Sequence, residues 1–170
     1  KFRARAPVAK DDATMGAVML VDNSIPVPYG MVAAAGGPAE KIGPYEHVGW
    51  EELHQGGWDP KARLLEQDRD GVAAEVLYPS IGLFVPFQPE LDPAQSAAAC
   101  RSYNDWLADY CAADDGRMAG VGLVPLADVD RAVAEAEQAA GLGLVGVLAR
   151  PNHLYGRNLG DQYYDPLYSF

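Results

Sequence analysis

From Trp58 onward the chain repeats one alternation. A stretch with helix signals is followed by a short, almost wholly apolar run, and then the pattern returns. The apolar runs lie in "VAAEVLYPS", "MAGVGLVPL" and "LGLVGVLARP". Polar and apolar residues do not alternate in them, so both faces of each strand are expected to be buried. That is the pattern of a parallel sheet covered by helices. The intervening stretches start and stop like helices. In "DPKARLLEQDRDG", Asp59 can cap, Pro60 suits the first helical position and Gly71 follows the end. "DPAQSAAACRSYNDWLADYCAAD" begins with Asp92 and Pro93. It sets Cys100, Tyr103, Leu107, Tyr110 and Cys111 on one face. "DVDRAVAEAEQAAG" has Val129, Ala132, Val133 and Ala136 as its apolar stripe, and Gly141 is expected to end it. Asp165-Pro166 repeats the cap pair and opens a further helix. Two architectures share this order: the (β/α)8 barrel and the open doubly wound sheet.

The section before Trp58 is different. Residues 1–57 are rich in Gly and Pro and are expected to be an irregular insertion, with residues 58–170 forming the regular part. "AVMLVDNSIPVPYG" can hold a short hairpin turning at Asp22-Asn23-Ser24, and Pro26 and Pro28 argue for a sheet edge. "KFRARAPVAK" is basic, but Asp11 and Asp12 follow it where a signal peptide needs an apolar core, so it reads as a surface arm.

Net charge narrows the partners. The 170 residues are 49% apolar and 22% charged, as in a folded globular chain, and carry a formal charge of -11. Nucleic-acid binding needs a basic footprint, and an anionic membrane repels this chain for the same reason. No apolar run approaches the roughly 20 residues of a membrane span. On one helix Cys100 and Cys111 lie about 16 Å apart along the axis, too far to pair. Free thiols fit a cytoplasmic location.

Both candidate architectures place their sites at the carboxyl ends of the strands. Those ends are Tyr78-Pro79-Ser80, Val124-Pro125-Leu126 and Arg150-Pro151-Asn152. Arg150 is the strongest candidate, because a guanidinium there can hold a carboxylate with two parallel hydrogen bonds. A scaffold pairing with a neighbouring acid is its plain alternative. Tyr78, Ser80, Asn152 and His153 complete the candidate substrate-binding set. His153 stands close to the strand end, but one histidine does not make a metal site. His47 and His54 read as loop histidines. Glu75 lies inside an apolar strand and needs a cation or a hydrogen-bonding shell. Cys100 and Cys111 read as core residues. "GLGLVG" matches a dinucleotide fingerprint as a string, but it follows a helix and enters a strand, the reverse of what a pyrophosphate site needs. A helix stop and close helix–strand packing account for its glycines instead.

Taken together, "GGWDPKARLLEQDRDGVAAEVLYPS", "CRSYNDWLADYC", "GVGLVPLADVDRAVAEAEQA" and "GVLARPNHLYGRNLGDQYYDPLY" resemble the amidohydrolase-related family. That branch of the metal-dependent amidohydrolase superfamily includes aminocarboxymuconate-semialdehyde decarboxylase and related aromatic-acid decarboxylases. The resemblance runs from Trp58 to Phe170 and is looser before it. It implies a (β/α)8 barrel with a divalent metal, usually zinc, at the carboxyl face, where the metal polarises substrate or activates water. The readable strands match the second, third and fourth of that barrel. Family metal ligands sit on the first, fifth and eighth strands, so none carries over to a residue here, and no catalytic residue is assigned in this chain.

The resemblance therefore implies an internal piece of a larger enzyme, a hydrolase or a non-oxidative decarboxylase (a lyase) acting on a small carboxylate. The chain starts at Lys1 rather than Met and stops at Phe170 inside a helix signal, so both ends look cut. Three strands do not close a barrel, and the chain alone is expected to be inactive. The rival reading is a small α/β module that binds an anionic ligand at the same strand ends without chemistry. Homo-oligomerisation stays open.

Overall fold

The computed structural model describes residues 5–20, 26–29, 54–84, 86–88, 91–114, 116–151 and 154–169. The chain divides into two compact units, Lys1–Val72 and Ala73–Phe170.

In the first unit, β1 (Val8–Asp12), β2 (Gly16–Leu20) and β3 (Val27–Pro28) form an antiparallel sheet in that order. The arm expected at the N-terminus is in part a strand: Val8 pairs with Leu20 and Asp12 with Gly16. The connecting turn is held by Asp12, whose Oδ1 accepts from the Thr14 and Met15 amides at 2.8 and 3.0 Å. The acidic residue that follows the basic stretch thus folds the hairpin, through an Asx turn. β3 lies at the sheet edge with Pro28 opposite Val18, where the prolines point it. The turn expected at Asp22-Asn23-Ser24 lies outside the described residues. Helix α1 (Pro60–Asp70) has the expected ends. Asp59 accepts from the Lys61 amide, and Gly71 closes it at φ 72° in the left-handed region.

The second unit is a parallel sheet of β4 (Glu75–Leu77), β5 (Met118–Leu123) and β6 (Gly146–Leu148), in sequence order. Glu75 pairs with Met118, and Val121 with Gly146. Helix α2 (Pro93–Cys111) connects the first two strands and α3 (Val129–Gly141) the next two. Each crossover brings the chain back parallel, as a βαβ unit requires. Asp92 caps α2 by accepting from the Ala94 and Gln95 amides, and Asp128 caps α3 by accepting from the Arg131 amide.

Three expectations need correction. Burial on both faces holds for β5, but Val76 in β4 is 52% exposed and Gly146 in β6 is exposed too. The helices cover the side bearing Leu77, Gly120, Gly122 and Val147. Second, Asp165 does not cap α4 (Asp165–Tyr168); it is the first helical residue, and Asp161 caps the preceding 3-10 turn by accepting from the Tyr163 amide. Third, Gly141, Gly143 and Gly146 are not close-packed, since a Cβ on any of them would meet open space; Gly143 is needed for its φ of 83°. Close packing falls on β5 instead. A Cβ on Gly120 would stand 2.8 Å from Leu107 and Leu144, and one on Gly122 would stand 2.9 Å from Asn104.

Two apolar clusters fill this unit. One joins Leu107, Ala139 and Leu144 between sheet and helices. The other joins Phe87, Cys100, Leu123, Val124, Leu126, Leu154 and Tyr164 around the carboxyl ends of the strands. Burial of that size stabilises by roughly 25 cal/mol per Å² of apolar surface. It also fixes the segments that follow each strand.

Candidate functional site

The segments following β4, β5 and β6 are tied together by side chains of the last one. Arg150 Nη1 donates to the Leu83 carbonyl at 3.2 Å, and the Tyr155 hydroxyl donates to the Pro86 carbonyl at 3.3 Å, both in the segment after β4. Ser96 Oγ, at the start of α2, donates to the same Pro86 carbonyl at 2.7 Å. Tyr164 donates to the Leu126 carbonyl, and the Tyr163 hydroxyl accepts from the Val129 amide at 3.0 Å, both just after β5. Arg157 lies over the Tyr163 ring, 4.1 Å from its centroid.

Arg150 is half-buried two residues past β6. Its Cζ lies 5.9 Å from the Phe84 ring centroid and 5.6 Å from that of Phe87. Among the described residues it pairs with no carboxylate. The scaffold pairing with an acid is therefore replaced by a carbonyl and two aromatic rings. One of the five guanidinium N–H groups is used on Leu83, which leaves donors for an incoming anion.

Tyr78 and Ser80 follow β4, and both are exposed, Tyr78 at 64%. Arg150 reaches their segment at Leu83 rather than touching either of them. Asn152 and His153 lie outside the described residues, as does His47. His54 is occupied by Glu66 of α1, with Nδ1 to Oε1 at 2.6 Å. Glu75 sits near Cys111 of α2. Burial, and then the Glu75 charge, raise the Cys111 thiol above its ordinary pKa. Burial and then the Glu135 charge do the same, more strongly, for Cys100. Both cysteines are free thiols. Raised pKa values and burial keep them protonated and inert, in keeping with a core role.

Phe84, Phe87, Ser96 and Tyr155 went unmarked in the sequence reading. The signal was "GLFVPF", with an aromatic on each side of a proline in the segment that follows a strand, where large apolar groups need a reason. Among the described residues, no group of three or more His, Cys, Asp or Glu could hold a metal ion. They therefore supply no ligand set for the divalent metal that the resemblance implies.

Residues 32–170 match the amidohydrolase family model. The chain belongs to the amidohydrolase family. No curated protein gives a significant match. Among solved structures, an amidohydrolase from Mycobacterium avium subsp. paratuberculosis is similar over 99% of this chain and 49% of its own, with 22% identity and a TM-score of 0.69. A 2,6-dihydroxybenzoate decarboxylase, solved with 2,6-dihydroxybenzoate, is similar over 63% of this chain and 34% of its own, with 26% identity and a TM-score of 0.54. A dihydroxybenzoic acid decarboxylase from Polaromonas, solved with bound manganese and the inhibitor 2-nitroresorcinol, is similar over 82% and 41%, with 21% identity and a TM-score of 0.54. The chain thus spans between a third and a half of these proteins. Its parallel sheet and crossover helices are part of a (β/α)8 barrel, which decides between the two architectures left open by the helix–strand order.

Proposed function

We propose that this chain forms the second-to-fourth-strand sector of a metal-dependent amidohydrolase-type enzyme, a hydrolase or non-oxidative decarboxylase acting on a small carboxylate. One observation carries the reading: Arg150 at the carboxyl end of β6 is half-buried, has free N–H donors and has no acidic partner among the described residues. Such a guanidinium holds a substrate carboxylate by paired, charge-assisted hydrogen bonds. Tyr78 and Ser80, with Asn152 and His153 next after Pro151 in the sequence, are the further residues proposed to bind substrate. The aromatic acids bound or decarboxylated by similar proteins favour an aromatic carboxylate. The divalent metal, zinc in this reading, is held by residues outside the chain. The described residues offer it no ligand set. No described helix is long and apolar enough to cross a membrane, and a cytoplasmic location is part of the proposal.

Two measurements test the reading. The 170-residue chain, supplied with zinc or manganese, is expected to release no CO2 from 2,6-dihydroxybenzoate; turnover by this chain alone overturns the assignment. In a longer polypeptide carrying this sequence and active on a carboxylate, Arg150→Ala is expected to lower kcat/KM by about tenfold or more, chiefly through KM, without loss of folded protein. Unchanged kinetics would remove Arg150 from the site. Carboxylate binding by a longer polypeptide that never turns over would favour the binding module.

A further inference from the structure

We propose that Phe84 is the contact through which this site selects an aromatic carboxylate over an aliphatic one of equal charge. The inference rests on Arg150 being the carboxylate-binding group. A single exposed phenylalanine is ordinary on a protein surface. Phe84 differs in how it is held and in what it is held against. Its ring is 46% exposed, whereas Phe87, three residues on, is 3% exposed and belongs to the core. Both rings lie within 6 Å of the Arg150 Cζ, so the guanidinium touches an anchored ring and an open one.

The backbone is pinned on each side of Phe84. Arg150 itself bonds the Leu83 carbonyl, and Ser96 and Tyr155 both bond the Pro86 carbonyl. Tyr155 does so from φ 52°, a left-handed conformation that bulky residues rarely adopt. With Gly156 at φ 77° it forms a two-residue turn closed by reciprocal bonds between Leu154 and Arg157. A strained backbone persists where its surroundings over-determine it, and such places cluster at binding sites. Here the strain accompanies a bond that fixes the loop carrying Phe84.

The chemistry follows from planarity. A carboxylate taking two guanidinium N–H groups lies in the guanidinium plane. An aromatic acid carries its ring nearly coplanar with its carboxylate. The ring therefore arrives beside Phe84 in an orientation fixed by the ion pair, suited to offset stacking. Because Phe84 is already held, its ordering costs little on binding. An aliphatic acid makes the same ion pair without the ring contact. A ring–ring contact of about 1 kcal/mol corresponds to a preference of about fivefold.

The test is an NMR titration of the 170-residue chain with benzoate and, separately, cyclohexanecarboxylate at matched ionic strength. The two probes share charge and ring size, and the saturated one is the more apolar, so simple burial would favour it. Benzoate is expected to bind about fivefold more tightly. Phe84→Ala and Phe84→Leu are expected to abolish that preference, and Arg150→Gln to abolish binding of both acids; dispersed amide spectra check that each variant folds. Equal affinities that both depend on Arg150, or a benzoate preference that survives Phe84→Leu, overturn the role of Phe84 and leave the Arg150 reading standing. Absence of Arg150-dependent binding of either acid overturns both.

Discussion

Asn104 joins three elements through one side-chain amide. From the middle of α2 its Nδ2 donates to the Leu123 carbonyl of β5 at 2.9 Å and to Glu135 Oε1 of α3 at 2.8 Å. Its Oδ1 accepts from the Leu123 amide at 2.7 Å. Glu135, itself buried, is completed by Arg101 at 2.8–2.9 Å. A buried carboxylate is tolerable only when its oxygens are met in this way. Asn104→Ala strips a partner from Glu135 and leaves the Leu123 amide and carbonyl dry. It is expected to cost about 2–3 kcal/mol, seen as a lower urea midpoint with an unchanged m-value. A loss below about 0.5 kcal/mol would mean that water replaces the amide. Gly122 is part of the same device, since a Cβ there would stand 2.9 Å from Asn104 Oδ1.

At the scale of elements, the helices were legible because their signals are local. Asp59, Asp92 and Asp128 each cap the helix they precede, accepting from amides two or three residues on. Asp165 misled because the same Asp-Pro pair also suits the interior of a first turn, and Asp161 had already capped the chain before it. The strands were legible as runs but not as faces. Whether Val76 meets a helix or solvent depends on residues far away in sequence. Glycine roles in the sheet were illegible for the same reason: Gly120 and Gly146 look alike in sequence, yet one faces Leu107 and Leu144 and the other faces open space. That contrast is testable. Gly120→Ala is expected to destabilise by about 1–3 kcal/mol through overpacking, while Gly146→Ala is expected to lie near neutral. Thermal unfolding of the two variants side by side measures the difference, and equal midpoints would contradict the packing described for β5. Of the candidate site, the sequence marked Arg150 by its place at a strand end, where the structure has it. Its contacts with Phe84 and Phe87 were not legible, because they span two loops.

At the scale of the whole molecule, the buried acidic protons set a pH limit. Burial raises the pKa of Cys100 and, with it, that of Tyr103 on the same helix face. In the unfolded chain a thiol ionises near pH 8.5 and a phenol near pH 10. Above those values the unfolded chain gives up protons that the folded chain keeps, so the folded state binds more of them. Stability is therefore full below about pH 8 and falls as pH rises past 8.5, more steeply beyond 10. Urea midpoints measured from pH 7 to 10.5 should trace this decline, and Cys100→Ala should lessen its first part, to which the raised Cys111 thiol also contributes. A flat profile would show that the thiol is not desolvated as described.

The sheet order carries a consequence for assembly. β5 is paired on both sides, whereas among the described residues β4 and β6 are each paired on one side alone. Each outer strand is three residues long and runs parallel to its neighbour. Backbone N–H and C=O groups on those two outer edges are, among the described residues, left without a strand to pair with, and the shortness of each edge limits the row that another strand could take up.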